Sequence, residues 1–467
     1  MQKDMMSEPE PRKGHTFIQW MIAIIANTTL FTYGLQAGWI SPMTRVLQSP
    51  ESPTGVPLSD SEVSWIASIL CIAAVAGVPL YAYIVDAYGR RIGLIAIAIP
   101  QALCWIIKLS TSSTISLIIA RVFSGIAAGG CFNVVPMYVK EISQDNVRGL
   151  LGSLLILVQN TGILCMYAMG AYLDYNTVLY SVAAIPIVNV ILLLKAPESP
   201  AYLIKIGEFD KATATIAFLR GLTMDDKAVG NEINQMRNDD QYYRSLPDIS
   251  FKSIFTVPVW RRTFLILITL MTVQALNGSF AIITYASNVL SLSGVTFSPE
   301  LQTLSFPVVM ILGSVISMNC IERIGRKPVL VTCMLSTAVA MACLSTSLIL
   351  TLHGYSMPSW LSVLCMIVIV TSYAAGVSAI PYILLSEMFN FQIRAKAVGV
   401  VVMYAWFLTF VQLAAFGPVS NAVGLYNTFY IFAGINLFGF FVSLIFLPET
   451  KAKTVEQIEN IISGKKT

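Results

Sequence analysis

Long apolar segments alternate with short polar ones along almost the whole chain. Each apolar segment is about 20 residues long, the length that a helix needs to cross ~30 Å of hydrocarbon at 1.5 Å per residue. Twelve segments qualify, at about 17–40, 63–85, 92–110, 114–138, 150–172, 177–194, 263–288, 300–321, 328–351, 359–385, 396–419 and 425–447. A transmembrane β-barrel would instead show ~10-residue segments of alternating polarity. The pattern predicts an all-α integral membrane protein with twelve transmembrane helices, TM1–TM12.

The composition agrees with a chain that lipid solvates. Hydrophobic residues make up 56% of the 467 positions, charged residues make up 12%, and the mean hydropathy is +0.72. Soluble domains carry about 25% charged residues, so a soluble chain of this composition would expose a large apolar surface. The first apolar segment is longer than the core of a cleaved signal peptide, and we expect it to persist as TM1.

The basic residues predict the orientation. With both termini cytoplasmic, 26 of the 29 Lys and Arg residues fall in cytoplasmic loops and tails, as the positive-inside rule requires. The exceptions are Arg45, Lys108 and Arg121. The net charge of +4 therefore reflects membrane topology, and we expect no nucleic-acid partner.

The longest polar stretch separates two sets of six helices. The predicted parts are a cytoplasmic N-terminal tail at 1–16, a six-helix half at 17–194, a linker at 195–262, a second half at 263–447 and a cytoplasmic C-terminal tail at 448–467. The linker mixes apolar and polar residues before a charged run. This pattern favours short amphipathic helices at the cytoplasmic surface over a separate folded domain.

Motifs that follow helices of the first half recur after the corresponding helices of the second half. The matches are 86–91 (DAYGRR) with 322–327 (ERIGRK), Glu141 and Arg148 with Glu387 and Arg394, and 197–199 (PES) with 448–450 (PET). Their offsets are 236, 246 and 251 residues. Three ordered matches indicate a duplicated six-helix unit, the architecture of carriers that rock two halves around a central site.

Charged residues at the cytoplasmic helix ends form a predicted gate. They are Asp86, Arg90, Arg91, Glu141, Arg148, Glu322, Arg326, Glu387 and Arg394. We expect opposite charges of the two halves to pair when the carrier faces outward and to separate when it faces inward, which biases a two-state equilibrium. The alternative is that these charges only anchor helix ends and set the orientation. The repeated acid-and-base pattern favours the gate.

These ordered motifs closely resemble those of the sugar porters of the major facilitator superfamily. The resemblance runs from about Gly34 to Ile458, and its most specific parts are 197–203 (PESPAYL) and 448–451 (PETK). Residues 38–42 (GWISP) and 64–66 (SWI) are similar to the arthropod branch of facilitated trehalose transporters. The resemblance implies a plasma-membrane transporter whose partners are the lipid bilayer and a small sugar or polyol. The sequence shows no Ser-His-Asp set, phosphate loop or metal-type cysteine spacing, so we expect no enzyme, cofactor or metal site.

A sugar has many hydroxyls and no charge, so its site needs amides, hydroxyls and aromatic faces. The resemblance and the polar positions at membrane depth give these predicted contacts: Gln36, Tyr167, Gln274, Asn277, Thr284, Tyr285, Tyr382 and Trp406. The alternative for each polar residue is interhelical hydrogen bonding. Family amides are replaced by Ala275, Phe280 and Ala405, and a family glycine is replaced by Ser378. Trehalose, a hexose, another polyol and a less polar solute therefore all remain candidate substrates.

Coupling to protons is not expected. Proton-coupled sugar porters resemble this chain but carry an Asp in TM1 where it has Gln36, and a buried carboxylate is the usual proton carrier. Arg121 is expected to pair structurally within the first half. The sequence thus predicts a facilitative uniporter. The competing hypothesis is a non-transporting nutrient sensor on a carrier scaffold, but such sensors usually have long cytoplasmic tails and only 20 residues follow Leu447.

Overall fold

The computed structural model describes residues 14–111, 113–246, 250–284, 304–355, 357–389 and 391–463, and these ranges contain helices and turns without strands. The transmembrane helices are TM1 Phe17–Gly38, TM2 Asp60–Tyr88, TM3 Arg90–Ser110, TM4 Thr114–Ile142, TM5 Asp145–Tyr172, TM6 Tyr175–Leu193, TM7 Pro258–Leu276 with Ser279–Thr284, TM8 Ser305–Ile324, TM9 Arg326–Leu352, TM10 Ser359–Ser372 with Ile380–Met388, TM11 Phe391–Val423 and TM12 Leu425–Phe446. The twelve-helix prediction is confirmed.

Helix ends follow local sequence signals. Ser59 and Glu62 form a capping box at the N-terminal end of TM2, which is the outer end in the predicted orientation used below to name inner and outer ends. The Ser59 backbone N–H donates to Glu62 Oε2 at 2.9 Å. At the inner end, TM2 stops at Gly89 (φ +100°) and TM8 stops at Gly325 (φ +111°). A side chain is strained at such φ values, so glycine at both positions makes the sharp turn into the next helix possible.

Small residues bring helices into backbone contact within the first half. A Cβ added to Gly125 of TM4 would lie 2.2 Å from the Leu70 carbonyl oxygen of TM2, and one added to Gly34 of TM1 would lie 2.1 Å from the Gln159 carbonyl oxygen of TM5. Lipid tails are as apolar as the helix surfaces, so the hydrophobic effect does not drive helices together in a membrane. Helices associate there through such close packing instead. These contacts pack TM1 against TM5 and TM2 against TM4.

The linker forms helices Pro200–Lys205, Phe209–Arg220, Lys227–Ser245 and Ser253–Thr256, and TM7 then begins at Pro258, before the predicted boundary at 263. The first three pack around a small apolar core of their own that includes Leu203, Ile216 and Val229. These apolar residues are therefore buried against each other. A further helix, Val455–Ser463, lies in the C-terminal tail.

Arg220 ties this linker cluster to the first half. Its side chain is 2% exposed; Nη1 donates to the Ile142 carbonyl oxygen at 2.9 Å, and Nη2 pairs with Glu232 Oε1 at 2.6 Å. The His15 backbone N–H donates to the Arg220 carbonyl oxygen at 2.7 Å. The start of TM1, the end of TM4 and the linker therefore meet at one buried arginine, TM1 at its backbone carbonyl and the other two at its guanidinium.

Candidate functional site

The inner ends of TM3, TM4 and TM6 form a charge cluster in the first half. Arg90 Nε lies 2.9 Å from Glu141 Oε2, and Arg90 Nη2 lies 3.0 Å from Glu141 Oε1, so the pair is bidentate. Ser199 Oγ also donates to Glu141. Glu198 accepts from the backbone N–H groups of Arg90 and Arg91 at 2.9 and 3.1 Å. One carboxylate thus neutralises the arginine and the other caps the N-terminus of TM3.

The second half repeats this cluster with equivalent residues. Arg326 Nη2 lies 2.9 Å from Glu387 Oε1, and Thr450 Oγ1 donates to Glu387 Oε2 at 2.6 Å. Glu449 accepts from the backbone N–H groups of Arg326 and Lys327 at 3.0 and 3.1 Å. The duplicated motifs seen in the sequence therefore correspond to a duplicated constellation in space.

The two capping carboxylates differ in their titration. Desolvation by burial raises the pKa of Glu198 above its usual value, although backbone N–H groups oppose this shift. Desolvation also acts to raise the pKa of Glu449, but hydrogen bonds from the backbone N–H groups of Lys451, Arg326, Lys327 and Thr450 outweigh it and hold that pKa below its usual value. Glu449 is thus the better-solvated carboxylate of the two.

The other predicted gate residues also make contacts within their own half. Asp86 pairs with Lys205 of the linker at 3.1 Å, and Arg91 Nη2 donates to the Leu194 carbonyl oxygen at 2.6 Å. Arg148 donates to the Ser143 carbonyl oxygen at 3.1 Å, and Arg394 donates to the Phe389 carbonyl oxygen at 3.0 Å. The side chain of Glu322 lies outside the described residues. Pairing of charges across the two halves stays a prediction.

The halves contact each other in the middle and outer parts of the membrane. Tyr167 Oη of TM5 donates to the Ile283 carbonyl oxygen of TM7 at 2.6 Å, so this predicted sugar contact bridges the halves while 2% exposed. Trp65 of TM2 packs against Phe410 of TM11 with ring centroids 6.3 Å apart. Asn160 of TM5 donates to Ser314 of TM8 at 2.9 Å.

TM7 is interrupted at the segment that the sequence singles out for substrate binding. Asn277 donates to the Gln274 carbonyl oxygen at 2.8 Å and accepts from the Ser279 backbone N–H at 2.6 Å, so its side chain caps the break. Gly278 has a φ of +84°, and a Cβ there would lie 2.4 Å from the Phe432 ring. The predicted contact Asn277 therefore serves the helix break, and Tyr285 lies outside the described residues.

A neighbouring amide from TM11 completes the break. With its amide oriented to satisfy both neighbours, Gln412 donates to the Ala275 carbonyl oxygen at 3.1 Å and accepts from the Gly278 N–H at 2.7 Å. Asn436 of TM12 donates to the Asn277 carbonyl oxygen at 2.9 Å. Backbone groups freed by a helix break in lipid need such partners.

Gln36 is fully buried inside the first half. Its Nε2 donates to the Gln101 carbonyl oxygen at 3.3 Å, its Oε1 accepts from Ser124 Oγ at 2.7 Å, and its own carbonyl oxygen accepts from Arg121 Nη1 at 2.6 Å. The expected structural pairing of Arg121 within the first half is therefore present. Gln36 packs TM1 against TM3 and TM4, and no face of it reaches solvent.

A small cavity, with room for about one water molecule, lies between the halves on the outer side of the membrane centre. Its lining comes from TM1, the following short helix Ile40–Leu47, TM2, TM4, TM7 and TM11 and consists of Ala37, Ile40, Ala67, Leu70, Cys71, Arg121, Phe280, Thr284 and Leu413. Thr284 is the one predicted sugar contact in this lining. Seven of these nine side chains are apolar, so the lining of this cavity is less polar than the sequence motifs suggest.

Aromatic rings lie directly inward of the cavity. Tyr33 of TM1 meets Phe132 of TM4 edge-on at 5.2 Å, and Phe132 meets Trp406 of TM11 at 6.3 Å. The predicted contact Trp406 thus belongs to an aromatic bridge between the halves. The predicted contact Tyr382 lies in the second part of TM10, and its side chain is 36% exposed. Sequence reasoning missed Tyr33 and Phe132, because an aromatic residue in an apolar helix carries no distinguishing signal.

A second missed feature is a cation cluster at the outer end of the first half. Lys108 is 1% exposed, and its Nζ lies 3.7 Å from the ring centroid of Trp39 and 4.2 Å from that of Trp105. Arg121 Cζ lies 5.3 Å from the same Trp39 centroid. Cation–π contact stabilises such buried cations. The sequence signal was present, since Lys108 and Arg121 break the positive-inside pattern.

Comparison with known proteins gives a consistent result. The family model described as "Sugar (and other) transporter" matches residues 21–462. A facilitated trehalose transporter Tret1-2 homolog of Drosophila simulans is 26% identical over 459 residues, which cover 97% of this chain and 93% of that protein. The facilitated trehalose transporter Tret1 of Bombyx mori is 25% identical over 451 residues, covering 96% of this chain and 88% of that protein.

Solved structures show the same fold. The inward open conformation of the xylose transporter XylE from E. coli aligns with a TM-score of 0.76 at 20% identity, covering 95% of this chain and 99% of that one. The proton:xylose symporter XylE bound to 6-bromo-6-deoxy-D-glucose aligns with a TM-score of 0.74 at 21% identity, with the same two coverages. The arrangement of two six-helix halves is therefore that of the major facilitator fold.

Proposed function

We propose that this chain, which belongs to the sugar (and other) transporter family, is a facilitative carrier that moves a sugar across the plasma membrane by alternating access. The observation that carries the proposal is the duplicated charge cluster, Arg90–Glu141 and Arg326–Glu387, at the inner ends of two halves with a small cavity between them. Two equivalent rigid halves with a site between them are what a rocking carrier requires.

The described contacts support an inward-facing conformation. The contacts between halves at Tyr167, Trp65 and Asn160 lie in the middle and outer parts of the membrane, the side that is closed in such a conformation. An outward-facing state would exchange some of the inner charge pairs for pairs across the halves. The free energy of that exchange sets the balance of the two states.

Uniport is supported by the environment of Arg121. TM1 presents to this guanidinium the backbone carbonyl of Gln36, whose amide side chain cannot exchange a proton, and the carboxylates of the clusters lie at the inner helix ends. A buried carboxylate is the usual proton carrier of a coupled transporter, and the described spans hold none at mid-depth. The relatives named as facilitated trehalose transporters make trehalose or a hexose the first substrates to test.

A radiolabelled uptake panel in oocytes, covering hexoses, trehalose and polyols, tests this function. We expect saturable uptake of at least one sugar, and no uptake of any sugar despite surface expression would contradict the proposal. Gln274→Ala and Trp406→Ala should each weaken uptake with normal surface expression, through a higher KM. Leu103→Ala, at an exposed position on TM3, is the control that should leave uptake unchanged.

A further inference from the structure

The side-chain polar groups of the cation cluster at the outer end of the first half are all donors. Lys108 is 1% exposed, and among the described residues no atom accepts a hydrogen bond from its Nζ. The indole N–H groups of Trp39 and Trp105, whose rings lie against this ammonium group, are also buried without an acceptor in the described part of the chain. Contact with aromatic faces offsets only part of the cost of burying a charge. The cluster therefore carries positive charge that an anion would neutralise.

Arg121 adds a second positive charge beside the first. Its Cζ lies 5.3 Å from the centroid of the Trp39 ring, and Lys108 Nζ lies 3.7 Å from the same centroid. The two charges are therefore within about 9 Å of each other, where they repel in a medium of low dielectric constant. The group that Arg121 Nη1 contacts on TM1 is the Gln36 carbonyl oxygen, which is neutral. This contact therefore leaves the guanidinium cationic.

The small cavity between the halves lies directly against Arg121. The guanidinium and the Thr284 hydroxyl are its polar lining, and the other seven lining side chains are apolar. Room for about one water molecule is also the room that a chloride ion needs, whereas a sulfate ion or a sugar is several times larger. Apolar walls keep water away, which strengthens the attraction between an anion and a buried cation. The cavity thus fits an anion of atomic size.

From the charge and the size of this place we infer that the carrier binds one halide ion, chloride being the abundant one, in the cavity against Arg121. Arg121 and the Thr284 hydroxyl donate to the ion, and Lys108 attracts it through its nearby charge. The lining comes from TM1, TM2 and TM4 of the first half and from TM7 and TM11 of the second. A bound ion therefore favours the conformation in which the two halves meet here.

Binding of radioactive chloride to the full chain in lipid nanodiscs tests the inference. The measurement needs no sugar, so its result does not depend on the proposed function. We expect saturable binding at millimolar chloride, with bromide as a competitor, whereas sulfate is too large for the cavity and should not compete. Absence of saturable binding, or competition by sulfate as strong as that by bromide, would overturn the inference.

Variants of the two cationic residues and of Thr284 locate the ion. Lys108→Met removes the nearby charge at similar volume and should weaken chloride binding about tenfold. Thr284→Val removes the hydroxyl at the same shape and should weaken it about fivefold. Arg121→Gln should abolish binding, and the two other variants keep the test valid if this one does not fold. Unchanged chloride affinity in Lys108→Met or in Thr284→Val contradicts the inference.

A matched control separates the site from the general effect of charge. Lys140→Met removes an exposed lysine at the inner end of TM4 and should leave chloride affinity within twofold. An equal fall in Lys140→Met and Lys108→Met would show that chloride responds to the total charge of the protein, which contradicts a site beside Lys108.

Thermal melting gives a second readout of the same site. Exchange of gluconate for chloride at equal ionic strength should raise the melting temperature of the unmodified chain, because a ligand that binds the folded state stabilises it. The rise should be smaller in Lys108→Met and unchanged in Lys140→Met. A rise of the same size in Lys108→Met would show that chloride acts elsewhere on the protein, and the inference would be wrong.

Discussion

The inner charge clusters of the two halves are near copies, whereas the helices that open each half have diverged. The nitrogen–oxygen distance is 2.9 Å in both ion pairs, Arg90–Glu141 and Arg326–Glu387. TM1, in contrast, runs to Gly38 with Trp39 still helical (φ −65°), while TM7 breaks at Asn277 and Gly278. The clusters serve a conformational cycle that is the same for any substrate, so both copies keep one geometry. The faces that meet substrate have no such common requirement.

The clusters also differ in how fully protein covers them. The side chains of Arg90 and Glu141 are 11% and 16% exposed, and those of Arg326 and Glu387 are 12% and 26% exposed. The Tyr202 ring of the linker lies 5.4 Å from Arg90 Cζ, and its hydroxyl donates to the Ala87 carbonyl oxygen at 2.9 Å. The linker thus desolvates the first cluster more than the C-terminal tail desolvates the second.

The largest expected effect comes from removing one partner of each ion pair. Arg90→Ala leaves a buried carboxylate unpaired and should cost about 3 kcal/mol of stability, whereas Arg326→Ala should cost less because water reaches Glu387 more easily. Thermal melting of the purified variants checks the order. Lys205→Ala, which breaks the exposed pair with Asp86 (46% and 70% exposed), is the control and should not change the melting temperature measurably. Equal shifts for the two arginine variants would refute the difference in desolvation.

The glycine turns should respond alike in the two halves. Gly89→Ala and Gly325→Ala each force a side chain into a strained φ and place a Cβ about as close to a capping carboxylate, 2.4 Å from Glu198 Oε2 and 2.5 Å from Glu449 Oε2. Each should cost roughly 1–3 kcal/mol. Matched losses of melting temperature would support the duplicated geometry, and a loss in one half alone would break the comparison.

A smaller effect should separate the two capping carboxylates. Because the pKa of Glu449 is lowered, its charged form is favoured in the folded protein; it stabilises the fold above the usual pKa near 4.5, and this contribution is lost as pH falls below that value. The pKa of Glu198 is raised, so its charged form is disfavoured and stability falls as pH rises through the raised pKa.

Glutamine variants measure this difference directly. At pH 7, Glu449→Gln should lower the melting temperature, and Glu198→Gln should lower it less or raise it slightly. Melting curves of both variants from pH 4 to pH 7 check the signs. A larger loss for Glu198→Gln at pH 7 would show that the hydrogen bonds to Glu198 outweigh its desolvation.

The balance of the two states offers a further comparison at the inner surface. Arg394→Ala removes a predicted gate charge of the second half without touching the described cavity. We expect a shifted ratio of influx to efflux with unchanged sugar affinity, measured by uptake from the two sides of the membrane. Lowered sugar affinity with an unchanged ratio of influx to efflux would instead show that Arg394 stabilises the structure of the binding site.

Sequence reasoning predicted the parts of the molecule that depend on local pattern. The twelve spans followed from apolar length, and the duplicated clusters followed from motifs such as 86–91 and 322–327. The partners of those charges did not follow, because a motif gives no information on whether Glu141 pairs with Arg90 of its own half or with a residue of the other half. The same limit applied at the linker, whose helices bury apolar residues such as Ile216 against each other.

The candidate site was harder to predict because polar residues in lipid have two uses. Gln36 and Asn277 have the chemistry of sugar contacts, but the structure gives their amides to the packing of TM1 and to the break of TM7. Both are still open to direct test as substrate contacts. Trp406 and Thr284 do lie between the halves, in the aromatic bridge and in the cavity lining. Which helix faces meet there could be known only from the three-dimensional arrangement.

Counterflow in proteoliposomes tests the central claim, facilitative exchange between two halves, most directly. Vesicles containing the purified chain are loaded with an unlabelled sugar that the uptake panel identifies, and the entry of the labelled sugar is followed with and without a protonophore. The account predicts saturable entry that internal sugar accelerates and that the protonophore leaves unchanged. Entry that requires an inward proton gradient, or that internal sugar does not accelerate, would contradict it.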